Sequence, residues 1–225
     1  SREPNRQPAS EAMTAPAAAR LDPEGLAHDR AWMVVDGDAE MLTQRSHPRL
    51  ALVRAEVGPG HLRLQASGMP PLQVPLDANA GQIRVRVWDD VVPACELGRE
   101  ADDWITAVLD ERAQVVRWGP GARRVADMRW TGGATAKTRF ADGFPLLVCS
   151  TASLAELNRR LAEGGHAAVG IERFRPNVVL EGLQAFDEDH IDELAIETDD
   201  GEVRLRLVKP CVRCSIPDVD PASAV

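Results

Sequence analysis

The stretch QIRVRVWDDVVPACEL, residues 82–97, sets Ile83, Val85 and Val87 against Gln82, Arg84 and Arg86. Successive side chains of an extended chain point to opposite sides, so one-by-one alternation collects the apolar residues on one face. The stretch reads as a half-buried strand. Upstream, AWMVVDGDAEMLTQR reads as strand, turn at Gly37-Asp38 and strand, a hairpin. LALVRAEV and HLRLQAS flank a second turn at Gly58-Pro59-Gly60. Downstream, Asp102 to Leu109 has helical spacing and an acidic start, and predicts a short helix. AQVVRWG is another strand.

Farther on, RWTGGATAKTRFADGF is polar and turn-rich, and predicts a long loop. PLLVCS predicts a short buried strand. It runs into TASLAELNRRLAEGG, where Ser150 or Thr151 can cap a helix bearing Leu154, Leu157 and Leu161, ended by Gly164-Gly165. NVVLEG, ELAIETDD and GEVRLRLV are three more strand candidates, and no repeat is visible. A tally of about nine strands to two helices predicts a mainly β protein, a barrel or sandwich with a few helices.

The 225 residues are 44% hydrophobic and 27% charged, with a formal net charge of −9. An acidic balance argues against nucleic acid or an anionic membrane as the main partner, so any bound anion must meet a local arginine cluster. No apolar run approaches the roughly 18 residues a membrane span needs. Residues 1–22, rich in Ala, Pro, Glu and Arg, read as a flexible lead-in without a signal pattern. Four cysteines in a chain this long make no disulfide framework, which points to a reducing cytoplasm.

Two of them stand in VKPCVRCSIP, residues 208–217. A C-x-x-C pair can be a zinc half-site, a redox dithiol, a disulfide or two free thiols. A zinc ribbon needs a second pair or a histidine, and none of His28, His47, His61, His166 and His190 is near in sequence. Pro217 and an acidic tail follow, which disfavours a thioredoxin-like helix. Lys209 and Arg213 favour thiolate, and a thiolate among guanidinium groups suits a soft metal carrying an anionic organic ligand.

Three segments in order resemble the MOSC superfamily, and among its members the bacterial and mitochondrial amidoxime-reducing proteins. They are GLAHDRAWMVVDGDAEMLTQRSHPRLALV (25–53), FADGFPLLVCSTASLAELNRRL (140–161), and ERFRPNVVLEGLQAFDEDHIDELAI (172–196) followed by VKPCVRC. The resemblance implies an N-terminal barrel-like domain over 23–130 and a MOSC β-barrel over 131–225, incomplete at both ends. It implies Cys214 as the ligand of molybdenum in a molybdopterin cofactor. Arg213, Arg175 and Asn177 would contact the pterin or its phosphate, Arg30 the terminal phosphate, and Asp142 and Phe144 would line the pterin site.

The chemistry is coherent with that assignment. A dithiolene-bound metal favours a third sulfur, a phosphate favours the planar fork of arginine, and pterin edges match Asn and Asp side chains. Each residue also has a plainer reading. Arg30 can pair with Asp29, and Arg175, preceding Pro176, is biased to extended backbone as a strand-edge charge. Asn177 can cap a turn, and Asp142 before Gly143 can be a turn residue. Cys95 and Cys149 read as core thiols, and residues 187–193 as a solvated acidic face with His190 at the surface.

Two departures stand against the pattern. No strand ending in a Lys-Ser motif precedes Gly25, and the only lysines are Lys137 and Lys209. The chain also stops where relatives continue with barrel strands. No C-x4-C-x2-C run is present, so a reductase would draw electrons from a separate ferredoxin- or cytochrome-like protein or from an extension outside this sequence. Three functions follow as expectations: reduction of small N-hydroxylated compounds by oxygen-atom removal, a non-catalytic carrier of cofactor or sulfur through a Cys214 persulfide, or a β domain that has lost its cofactor.

Overall fold

A computed structural model describes residues 19–224. The fold is mainly β, with three α-helices among the described residues. Its centre is a four-stranded antiparallel sheet in the order Trp32–Val35, Gln114–Trp118, Asp90–Glu96, Gly81–Val87. The alternating stretch pairs as expected, Ile83 opposite Ala94 and Val85 opposite Val92, with Val85 and Val87 fully buried and Arg84 and Arg86 exposed.

A three-stranded sheet, Arg54–Gly58, His61–Gln65 and Leu72–Pro75, turns Leu62, Leu64, Leu72 and Val74 inward. The helix Arg99–Leu109 buries Ala101, Trp104, Ile105, Val108 and Leu109 against them. Removing such side chains from water contributes roughly 1.5–3 kcal/mol for each large one. Trp104 Nε1 donates to the Pro70 carbonyl at 2.7 Å, so the indole is buried without an orphaned donor. The helix begins three residues before its predicted start, because Gly98 at φ 104° turns the chain out of the preceding strand there.

The strand Gln114–Trp118 lies between two cores. Val115 faces the helix, while Val116 joins Met33, Val35, Val85, Val87, Val92, Ala94 and Phe140 on the other side. Of the hairpin expected after Ala31 the first arm, Trp32–Val35, and the turn form, and in the turn Asp36 Oδ1 accepts from the backbone N–H groups of Asp38 and Glu40, both at 2.9 Å. Its return arm is a single bridge between Val35 and Met41. Pro48 then opens a 3-10 helix, Pro48–Leu52, and a residue without an N–H cannot extend a ladder.

In the second half the strand Val148–Ser150 pairs in parallel with Val178–Leu180 across the helix Thr151–Glu163. Ser150 caps that helix, its Oγ accepting from the Ser153 N–H at 3.0 Å. The last two predicted strands form the hairpin Glu193–Thr198 and Gly201–Arg206. The loop expected over 129–144 is more ordered than its polarity suggests. It holds the short helix Met128–Thr131 and the strand Lys137–Thr138, which pairs with Arg124–Val125.

Residues 1–18 of the expected lead-in lie outside the described residues. Leu21–Asp22, at its end, instead pairs with Gly25–Leu26. The sequence reading placed no strand before Gly25, and a two-residue strand is too short to show any period. Gly25 stands at φ +112°, and a Cβ there would lie 2.9 Å from the Pro145 carbonyl oxygen. Only glycine lets the chain leading to Arg30 approach the FADGFP loop this closely.

Candidate active site

Two halves of the chain meet at Asp29 and Asn177. Asn177 Nδ2 donates to Asp29 Oδ2 at 2.9 Å, and its Oδ1 accepts from the Leu147 N–H at 2.9 Å. Arg30 donates through Nη1 to Asp29 and, at 3.4 Å, to Asn177 Oδ1, and through Nη2 to the Arg175 carbonyl at 3.2 Å. The plain ion pair of Arg30 with Asp29 is therefore present. It leaves part of a guanidinium that carries five donors open to a ligand.

Arg175 adopts φ 51° and ψ 49°, a left-handed conformation, not the extended one that its place before Pro176 favours. Arg30 is also left-handed, at φ 48°. The 3-10 helix Ile171–Phe174 ends at Arg175, and the turn is held by the Arg175 N–H on the Glu172 carbonyl. Surrounding protein and the nearby Arg30 cation lower the Arg175 pKa, opposed by Asp29 and Asp142. The residue keeps an exposed flank and an arginine stays charged at neutral pH, so the result is two crowded cations. Such a pair is a ready site for an anion.

From Asp142 the arrangement continues to the cysteine. Asp142 Oδ2 pairs with Arg45 Nη2 at 3.3 Å, and the Arg45 cation is near enough to the Cys214 thiol to lower its pKa. Arg45 is the residue that sequence reasoning missed. It leaves a turn stitched by Thr43, whose Oγ1 accepts from the Arg45 N–H at 3.3 Å and whose carbonyl accepts from the Ser46 N–H at 3.1 Å. Burial by itself would raise the Cys214 thiol; the Ile216 backbone N–H and the Arg45 cation outweigh it and hold the pKa below the ordinary thiol value.

Arg213 Nη2 lies 3.5 Å from Cys149 Sγ, and its guanidinium sits 5.2 Å over the Phe174 ring. Burial pushes the Cys149 thiol up, against the pull of Arg213. Phe144 is half-buried in the loop after Asp142. His190 is exposed, as expected, but Glu188 of the acidic run is not simply solvated, since its Oε2 accepts from Ser150 Oγ at 2.9 Å.

All four cysteines are free, and among the described residues no three His, Cys, Asp or Glu side chains gather as a metal cage. A metal at Cys214 would therefore take most of its ligands from an organic chelate, and the two crowded arginines supply what an anionic chelate needs. The residues fit a pterin-borne metal.

Residues 10–112 match the MOSC N-terminal beta barrel domain and residues 135–224 the MOSC domain. The chain belongs to the MOSC-domain proteins that carry this N-terminal barrel domain. It is 33% identical over 216 residues to "Mitochondrial amidoxime reducing component 2" of Rattus norvegicus, covering 89% of this chain and 59% of that protein. To "Mitochondrial amidoxime-reducing component 1" of Homo sapiens it is 32% identical over 209 residues, covering 89% and 59%. To "Molybdenum cofactor sulfurase" of Homo sapiens it is 27% identical over 214 residues, covering 88% and 24%. The chain thus spans less than two thirds of the length of these curated relatives. Among the described residues no helix is long and apolar enough to cross a membrane.

Proposed function

We propose that this chain binds a molybdenum-pterin cofactor through Cys214 and reduces small N-hydroxylated compounds by oxygen-atom removal. The observation that carries the reading is that residues far apart in sequence share one charged neighbourhood: Arg45 pairs with Asp142 at 3.3 Å and lowers the Cys214 pKa, and Arg30 donates to the Arg175 carbonyl at 3.2 Å. The names of the amidoxime-reducing relatives support the substrate class.

In this reading Arg175 and Arg30 take the phosphate, with Asp29 and Asn177 fixing the Arg30 fork. Asn177 spends its oxygen on Leu147 and Arg30, so only one amide hydrogen is left for a ligand. Asp142 offers a carboxylate acceptor to a pterin N–H, and half-buried Phe144 offers an apolar wall. Arg213 acts from behind, setting the backbone of the cysteine motif through Cys149 and Phe174. The bound cofactor would take up the substrate oxygen and donate two electrons, so that R–NHOH with two electrons and two protons gives R–NH2 and water. The electrons come from a separate donor protein of ferredoxin or cytochrome type, and the compartment is the cytoplasm.

Molybdenum content and pterin fluorescence, measured on protein from a molybdenum-replete host, test the reading. Wild type is expected to retain both and Cys214→Ser to lose most of the metal, because a neutral hydroxyl is a poor ligand for a soft site. Wild-type protein without molybdenum overturns it. The exposed Cys214, with its lowered pKa, favours one alternative, a sulfur carrier. A persulfide on Cys214 by mass spectrometry, in protein with no reductase activity, selects that alternative.

A further inference from the structure

The hairpin Gly81–Val87 and Asp90–Glu96 closes through two residues, Trp88 and Asp89. Trp88 stands at φ +56°, where glycine or asparagine sits readily and a bulky ring does not. The residue is 40% exposed, so the strained backbone is not explained by burial in the core. Instead the Arg45 guanidinium lies 4.8 Å from the ring centroid. Arg45 is the same side chain that pairs with Asp142 at 3.3 Å and whose cation favours the Cys214 thiolate. An exposed indole held at strained backbone, one residue removed from a candidate metal ligand, belongs to a recognition surface rather than to a fold.

We infer that Trp88 and Arg45 form the specificity-determining wall of the Cys214 site, and that it favours planar N-hydroxylated compounds whose N–OH group adjoins an aromatic ring. The inference rests on the proposed function and narrows its substrate class. The indole offers a face or edge to the ring, and the Arg45 fork offers N–H donors to the oxygen atoms beside the nitrogen. The ring is what Trp88 reads, and the polar group is what Arg45 reads.

Benzohydroxamic and acetohydroxamic acid separate the two contributions, since they share the reacting group and differ in the ring. Trp88→Gly suits the backbone, so the variant is expected to fold and to keep wild-type molybdenum content. Loss of one aromatic contact corresponds to about 2–10-fold, so the kcat/KM ratio of the aromatic to the aliphatic compound should fall by that factor, through KM. Trp88→Phe should restore most of the ratio. Arg45→Gln should raise KM for both compounds, with Arg45→Lys between it and wild type.

A second readout needs no turnover: the Kd of benzamide, the aromatic product, measured by ligand-observed NMR, should weaken in Trp88→Gly by the same factor. An unchanged ratio and unchanged benzamide Kd at equal metal content overturn the wall. Loss of molybdenum in Trp88→Gly also overturns it, since Trp88 would then be structural. If wild type holds no molybdenum, or reduces neither hydroxamate, the proposed function fails, and the benzamide titration still decides whether Trp88 recognises a ring.

Discussion

Arg173 and Asp220 pair at 2.7 Å across 47 positions, and Arg173 Nη1 also donates to the carbonyls of Pro217 and Asp218, both at 3.2 Å. Arg173 lies two residues before Arg175 and Asp220 six after Cys214. The clamp therefore ties the segment bearing the candidate ligand to the turn that presents a candidate phosphate arginine. Asp220→Asn or Arg173→Gln should release the segment around Cys214, read as several-fold faster proteolysis there with the core of the first half still folded. The backbone N–H of Ala222, then Arg173 and Ser223, holds the Asp220 pKa below the ordinary aspartate value. A lowered folded-state pKa stabilises above the unfolded value of about 3.9 and is lost as pH falls through the folded one, so wild type should approach the variants only in acid.

Asn177→Ala removes the acceptor of the Leu147 N–H and the donor to Asp29 together. Leaving a partly buried N–H without a partner costs about 1–3 kcal/mol, measurable as a lower urea midpoint at unchanged m value. Asn177→Asp keeps the acceptor for Leu147 but sets a second carboxylate against Asp29. Combining it with Asp29→Asn should restore stability beyond the sum of the single effects, the signature of two side chains in direct contact.

The elements that were legible in the sequence are those whose cause is local. Alternation marked Gly81–Val87, a hydroxyl at Ser150 or Thr151 ahead of Leu154, Leu157 and Leu161 marked a helix start, and Gly201–Arg206 followed its period. Arg45 carried no such mark, because its partners Asp142 and Cys214 are set by the fold and lie 97 or more residues away. The helix Met128–Thr131 and the strand Lys137–Thr138 were hidden for a related reason. The helix is started by Asp127 accepting from the Arg129 N–H, and the strand lies beside Phe140, which is buried against the central sheet, so neither shows a periodicity of its own. Arg213 has neighbours in space, Cys149 and Phe174, that its place beside Cys214 did not announce.

Ser150 joins two elements through one hydroxyl. Its Oγ accepts from the Ser153 N–H at 3.0 Å and gives its one hydrogen to Glu188 Oε2 at 2.9 Å, with Ser153 Oγ also at 2.9 Å, and the residue is buried. Ser150→Ala should cost about 1–2 kcal/mol as a lost cap in chemical unfolding. Ser150→Asp should keep the cap acceptor but lose the donor and repel Glu188. It should therefore recover less than Ser150→Thr, which keeps both.

Thiol labelling distinguishes the two sides of the cysteine motif. Cys214 is exposed, and Arg45 and the Ile216 N–H favour its thiolate, whereas Cys149 is buried and pushed up. Only the thiolate is alkylated, so access and charge act in the same direction. In cofactor-free protein at neutral pH, iodoacetamide should modify Cys214 well before Cys149 or the fully buried Cys95, as read by peptide mass spectrometry. Arg45→Gln should slow Cys214 by up to about tenfold, the effect of one pKa step on the thiolate fraction, with Cys149 unchanged. Raising the pH should close the gap between variant and wild type, since both thiols are then ionised. If Arg45→Gln leaves the Cys214 rate unaltered across that range, the Arg45 charge does not act on the sulfur, and the contact linking the first half of the chain to Cys214 is disproved.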